Sequence, residues 1–331
     1  MRVRALSVVV LAALCSVALA QGRGQAHTKP DKKTYKATTI DTRLFFPQVV
    51  HTVTANVIDP ENPVQPPDFV SGPGNGLPFG GLLNEPRTNP GFAFPGITAT
   101  GWHPADPDIA VGPNNIVEVV NMSIAFYAKD GTLQLEQTAQ NMFSGTGAGS
   151  FDFDPKCFYD RIHDRFVILY LERSTGADPD VSKVLVAVSD DGDPNGVWFT
   201  YRFEAMLTFS GVDYWMDYPG FGYNKDAYAA NGNMFSFPSN SFIGAQFLVM
   251  PSAPMLTGSP VTVTNIFDPS ARNVQMAEVI DPVQPNIFAA SRLISGTAAR
   301  IYAISNLTTT PVIASVDVTV PSNAAPSTDA T

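Results

Sequence analysis

Short apolar runs broken by Gly, Pro, Asn and Asp clusters recur along this chain from residue 106 onward, and they recur in groups. Ile109 to Val111, Ile116 to Asn121, Ile124 to Ala128 and Thr132 to Gln137 form the first group. Each run is short and rich in β-branched or aromatic residues, so each reads as a strand. Lys129-Asp130-Gly131 supplies a hairpin turn between the last two, because Gly accepts the positive φ of a tight turn. Lys156 to Tyr159, Phe166 to Glu172, Val184 to Ser189 and Trp198 to Phe203 form the second group. The third spans about Asp217 to Val263 and is clearest at Tyr228 to Asn231 and Gln246 to Met250. The fourth spans about Met276 to Val320, with Ile287 to Ser291, Arg300 to Ser305 and Val312 to Val320 as strands.

An Asp and a Pro open each group: Asp106-Pro107, Asp154-Pro155, Asp217-Tyr218-Pro219 and Asp281-Pro282. The intervals between these prolines are 48, 64 and 63 residues. A repeat of that length built from short strands predicts an all-β fold, a β-propeller with one four-stranded antiparallel blade per repeat. About four blades are visible. The tail after Val320 carries no closing strand, so an incomplete ring is expected; four blades closed into a full ring would contradict this.

The rest of the chain organises around those blades. Residues 1–20 read as a signal peptide: Arg2 and Arg4 lead, Leu6 to Leu14 is apolar, and Ala18-Leu19-Ala20 fits a cleavage site. A secreted protein of the extracellular space, periplasm or cell envelope is therefore expected. Residues 21–104 read as a polar leader, mobile over 21 to 36, followed by a Pro- and Gly-rich strap. Strand-like pieces lie at Arg43 to Val50 and His51 to Ile58, and Phe69, Phe79, Phe92 and Phe94 favour a strap over a disordered linker. Residues 105–320 hold the blades and 321–331 a polar coil, with the chain expected to be truncated there.

Charge and cysteine content narrow the classes. Cleavage would take the formal charge from −10 to −12, which argues against nucleic acid or anionic lipid as a partner. No later segment is apolar for long enough to span a bilayer. Cys157 would be the only cysteine, excluding an intrachain disulfide; secretion without disulfides suits a bacterial envelope.

Ala105 to Asn114, Tyr159-Asp160 with Asp164-Arg165-Phe166, Ala187-Val188-Ser189 with Gly192 to Trp198, and Asp217 to Asp226 together resemble a family of secreted bacterial propellers. Its members are largely uncharacterised and are sometimes labelled sialidase-like or BNR-like. The resemblance covers roughly residues 100 to 320. It implies the propeller fold, and it implies no agreed activity.

Candidate chemistry is sparse. Ser189 to Trp198 resembles an Asp-box, whose Asp and Gly shape a turn while the aromatic packs between blades. Asp190, Asp191 and Asp193 offer calcium-type oxygens, but lack the spacing and distal Glu of an EF-hand loop and read better as a solvated turn. Asp106, Asp154, Asp217 and Asp281 would face one channel mouth if the blades are equivalent. A cation, calcium first, would relieve their repulsion. The competing and favoured reading is Asp serving as a turn device before Pro. Tyr214 and Trp215, flanked by Asp213 and Asp217, are expected to be an exposed aromatic platform preceding a strand, a pattern suited to sugars. Phe221 and Tyr223 are expected in the core. His27, His51, His103 and His163 lack zinc spacing, and Cys157 reads as a buried thiol.

These features predict a secreted, non-catalytic propeller that binds a glycan, an extracellular protein or a cell-surface component. A sialidase-like hydrolase or a polysaccharide lyase is the alternative, and a purely structural repeat is the third reading. Two acids clustered with two or more arginines at one channel mouth would favour the enzyme. A shallow aromatic-lined mouth would favour binding.

Overall fold

The computed structural model describes residues 30–45, 94–98, 100–176, 180–237, 239–292 and 297–321. The signal peptide, most of the strap and the final coil from residue 322 lie outside the described residues. So does the strand expected over His51 to Ile58. Of the strand expected over Arg43 to Val50, the described part belongs to a short 3-10 turn, Thr42–Leu44.

Two strands, β1 (Asp31–Tyr35) and β2 (Thr38–Asp41), precede four antiparallel sheets. Blade one is β3 (Asp108–Val111), β4 (Asn115–Val120), β5 (Ser123–Ala128) and β6 (Leu133–Thr138). Blade two is β7 (Asp152–Asp160), β8 (Arg165–Ser174), β9 (Val181–Ser189) and β10 (Val197–Glu204). The short β11 (Leu207–Phe209) leads into blade three: β12 (Val212–Tyr223), β13 (Ala227–Ser236), β14 (Phe242–Pro251) and β15 (Val261–Asp268). Blade four is β16 (Gln275–Met276), β17 (Ile287–Arg292), β18 (Ala298–Ser305) and β19 (Val312–Thr319).

Within each blade the strands pair in chain order as an antiparallel meander. The first strands of successive blades run together, β3 with β7, β7 with β12 and β12 with β16. This is the propeller arrangement the repeat predicted. Among the described residues no comparable contact brings β16 back to β3.

Three apolar layers hold the blades face to face. Phe126, Tyr170 and Trp198 fill the seam between blades one and two, with Phe126 and Trp198 stacked at 5.8 Å. Phe158, Trp215, Tyr223 and Tyr228 fill the next seam, and Phe247, Ile287 and Tyr302 the last. Burying a ring of this size contributes about 2–3 kcal/mol, so these layers are the main cohesive term between blades. Polar tips also reach across a seam: the Tyr170 hydroxyl lies 2.8 Å from Val120 O and 2.7 Å from Ser123 O. Gly222 permits the closest backbone approach, since a Cβ there would collide with Ala277 O at the start of blade four.

The expected mobile leader is corrected in part. Residues 31 to 35 form β1, which pairs antiparallel with β15, and β2 then crosses to pair with β10. One segment thus covers the outer edges of blades three and two, whose N–H and C=O groups would otherwise stand unpaired. The described end of the strap runs over blade one. The Phe94 ring packs 5.2 Å from Tyr127, and Ile97 N donates to Glu118 Oε2 at 2.9 Å. No helix among the described residues is long and apolar enough to cross a membrane.

One buried acid stands out. Asp152 is fully buried at the start of β7, and among the described residues neither carboxyl oxygen has a hydrogen-bond partner. Burial, then the nearby Glu172 carboxylate, pushes its pKa up to about 8, while Arg202 opposes. The folded state therefore holds a proton that the unfolded chain releases above the ordinary value of 3.8. Stability from this group is full below about pH 4 and is lost as pH rises toward 8, by up to about 1.4 kcal/mol per pH unit. Asp152→Asn is expected to flatten that decline and raise the melting temperature at pH 8. Melting curves from pH 4 to 8 check this, and equal slopes for both proteins would contradict it.

Candidate functional site at the propeller axis

The inner strands converge on the axis, and each has a residue in the left-handed region, either within it or just before it. These are Asp106 (φ 48°), Asp154 (φ 49°), Tyr218 (φ 53°) and Asn273 (φ 49°). Asp and Asn tolerate this conformation, whereas a bulky aromatic there is strained. From blade two onward, the N–H of that residue is captured by a side chain of the preceding blade. Asp154 N donates to Asn121 Oδ1 at 2.7 Å, Tyr218 N to Asp154 Oδ2 at 3.1 Å, and Asn273 N to Asn233 Oδ1 at 2.9 Å. In blade one, Asn121 Nδ2 also donates to Asp106 Oδ2 at 2.7 Å. Pro107, Pro155 and Pro219 follow three of the four; the last two sit at bulges, where a missing ladder donor is harmless.

This geometry revises the acidic set. Asp106 and Asp154 serve as clasps between neighbouring segments. Asp217 is buried one position before its blade's left-handed residue, because the motif there is Asp-Tyr-Pro rather than Asp-Pro. Asp281 does not belong to the set. Its carboxylate accepts from Val283 N at 3.0 Å in a turn beyond β16, and the equivalent position is the neutral Asn273. Among the described residues no group of three or more His, Cys, Asp or Glu is placed to hold a metal. The four carboxylates are not brought to equivalent positions, so the geometric argument for calcium between them falls away.

The expected aromatic platform is also corrected. Tyr214 and Trp215 lie inside β12 rather than before it, and both are buried. Trp215 packs near Phe153 and Phe235, with the Arg173 guanidinium 3.8 Å from its ring centre. Asp213 accepts from Thr208 Oγ1 at 2.6 Å on the neighbouring strand. Phe221 and Tyr223 are buried as expected, and the exposed aromatic of this run is Tyr218, 45% accessible. Asp190, Asp191 and Asp193 lie in the β9–β10 turn; Asp193 N donates to Asp191 Oδ1 and Asn195 N to Asp193 Oδ1.

Further titratable groups lie along the inner strands: Asp160 ends β7, opposite its clasp, whereas Asp108 opens β3 two residues after Asp106. Asp160 is fully buried at the end of β7. It accepts from Ile162 N at 2.9 Å, from His163 N at 3.2 Å and from the blade-three Tyr228 hydroxyl at 3.0 Å, and it meets His163 Nδ1 at 2.7 Å. The Tyr223 hydroxyl accepts from Arg161 N at 3.2 Å and donates to Tyr159 O at 3.3 Å, locking β12 to the same turn. Glu278 bridges to Tyr223 in parallel, with Val279 N donating to Tyr223 O at 2.7 Å. Asp108 accepts from Cys157 N at 3.1 Å and Ile109 N at 2.9 Å.

Glu278 is exposed, and only partly desolvated. That desolvation raises its pKa; Arg161 opposes the rise, and Asp108 and Asp160 reinforce it. Burial pushes the Cys157 thiol well up, which leaves it inert as a nucleophile. Sequence reasoning missed Glu278 because it lies in an irregular stretch between β16 and β17 with no motif around it. Asp160 lies within one of the matched motifs and Arg161 and His163 lie beside it, but no pattern in that stretch signals the contacts they make.

No family model matches this chain, and no curated protein does. Among solved structures, an exo-β-1,3-galactanase from Phanerochaete chrysosporium bound to β-1,3-galactotriose is similar at 15% identity and a TM-score of 0.33, over 66% of this chain and 50% of that one. A family 117 glycoside hydrolase from the marine bacterium Zobellia galactanivorans is similar at 11% identity and a TM-score of 0.33, over 66% of this chain and 70% of that one. The chain thus spans half the length of the galactanase. Likeness this loose carries no argument about chemistry.

The clasps generate a stability test. Asn121→Ala removes an acceptor and a donor from a buried side chain, and is expected to cost about 1–3 kcal/mol in urea unfolding. Asp281→Ala, in an exposed turn, is expected to stay within about 0.5 kcal/mol. Equal effects of the two would contradict the assignment of the clasp.

Proposed function

We propose that this propeller is a glycan-active hydrolase whose chemistry runs at the axis. The observation that supports this reading is Glu278, seated by backbone pairing beside Tyr223, with its pKa raised by partial desolvation and by the fields of Asp108 and Asp160 while Arg161 opposes the rise. A raised carboxyl pKa suits a proton donor, and glycosidic cleavage asks for such an acid opposite a second carboxylate. In this reading Glu278 gives its proton to the departing glycosidic oxygen. Asp108, oriented by two backbone N–H groups, serves the opposite face of the sugar ring. Arg161 holds substrate oxygens, and the Asp160–His163 pair fixes the turn that presents it.

This favours the hydrolase alternative over the non-catalytic binding reading. The aromatic platform on which the binding reading leaned is buried, while Glu278 feels two other carboxylates and a single arginine, one short of the pair of arginines that would mark the enzyme outright. Exposed Tyr218 at the other mouth keeps the binding reading as the second choice, since it offers an accessible aromatic face to a sugar.

Release of reducing ends from a panel of neutral and acidic polysaccharides tests the proposal. Glu278→Gln is expected to lower the rate by roughly a hundredfold or more, with the fold intact by circular dichroism. Glycan binding without product release, equal in wild type and Glu278→Gln, would overturn the hydrolase reading in favour of the binding module.

A further inference from the structure

A cavity lies away from the axis, in the seam between blades two and three. There β1 closes a volume of about 160 Å³ lined by Lys33, Tyr35, Glu204, Gln246, Asn265 and Phe267. Gln246 on β14 is 1% accessible, yet among the described residues neither Oε1 nor Nε2 has a hydrogen-bond partner. Asn265 Oδ1 on the adjacent β15 is also buried and unpartnered among them, while its Nδ2 reaches Glu204 O only at 3.5 Å. Buried amides left this way are costly, and a group that supplied the missing bonds would be bound favourably.

The unmet groups define what fits. Gln246 Oε1 and Asn265 Oδ1 ask for donors, and Gln246 Nε2 asks for an acceptor. A metal ion satisfies the oxygens but leaves Gln246 Nε2 without an acceptor. An anion would be repelled by the carboxylates of Glu204 and Asp31, which also line the cavity. A neutral polyol matches all three groups, because each hydroxyl both donates and accepts, and it would meet them once the Gln246 and Asn265 side chains turn into the cavity. Tyr35 and Phe267 add aromatic surface for the C–H face of a sugar ring. Burial raises the Tyr35 hydroxyl to about 12, keeping it a neutral partner near neutral pH.

We propose that this cavity is a binding site for a neutral saccharide unit, formed when β1 docks on β15 and independent of the axial chemistry. A bound sugar would anchor a glycan at a distance from the axis, as a non-catalytic site does.

Isothermal titration of the full chain with neutral mono- and oligosaccharides, a uronic acid and calcium chloride tests it. Saturable binding of a neutral sugar is expected, weakened at least tenfold by Gln246→Leu and by Leu207→Trp at the half-exposed rim, but unchanged by Glu278→Gln. Reducing-end release from a soluble short substrate is expected to be unaffected by Gln246→Leu, which separates failure here from failure of the axial reading. Binding of calcium or the uronic acid alone, no saturable sugar binding, or sugar binding indifferent to both cavity variants would overturn the proposal. The last two outcomes would leave the amides to ordered water. If Gln246→Leu fails to fold, Leu207→Trp carries the comparison.

Discussion

A backbone N–H at a bend in an inner strand points away from its own sheet and must find an acceptor elsewhere. In this protein the left-handed conformation of Asp154, Tyr218 and Asn273 turns that N–H toward the preceding blade. Asn121, Asp154 and Asn233 supply the side-chain oxygen. The bond is short and directional, so it fixes the angle between blades in a way that apolar seams do not. The seams provide most of the cohesion, since burial is large but non-directional. The clasps choose which of many face-to-face packings is adopted. Tyr218 bears a conformational cost of about 1–2 kcal/mol that its Asp and Asn counterparts largely avoid.

Fixing one end of each inner strand fixes the other. Strand β7 connects the clasp at Asp154 to the turn at Asp160. The Tyr223 and Tyr228 hydroxyls then tie β12 and β13 to that turn. Glu278 enters beside Tyr223 only because Gly220 and Gly222 let the start of blade four approach the backbone of β12. Glu278 is thus held beside Tyr223 by backbone geometry.

The blades were legible because their strands obey local rules. Ile116 to Asn121, Phe166 to Glu172 and Val312 to Val320 emerge within a residue or two of β4, β8 and β19. Trp198 packs between blades one and two against Phe126. What escaped was set by distant partners or by register. β1 pairs with β15 across more than two hundred residues, so Asp31 to Tyr35 carried no sign of being a strand. Matching Asp-Pro pairs put Asp217 one residue out of step and chose Asp281 over Asn273, because the quantity that repeats is a backbone angle. Tyr214 and Trp215 looked exposed because β12 begins at Val212, well before the Pro that was taken to open it.

Amide hydrogen exchange of the three clasping N–H groups measures the role of the clasps most directly. The Asp154, Tyr218 and Asn273 amides sit at bends in the chain, where fast exchange is the default without an acceptor. The clasps predict protection at all three comparable to the β8 and β13 core amides. Exchange at the rate of the Asp281 turn would mean that these N–H groups do not clasp the blades.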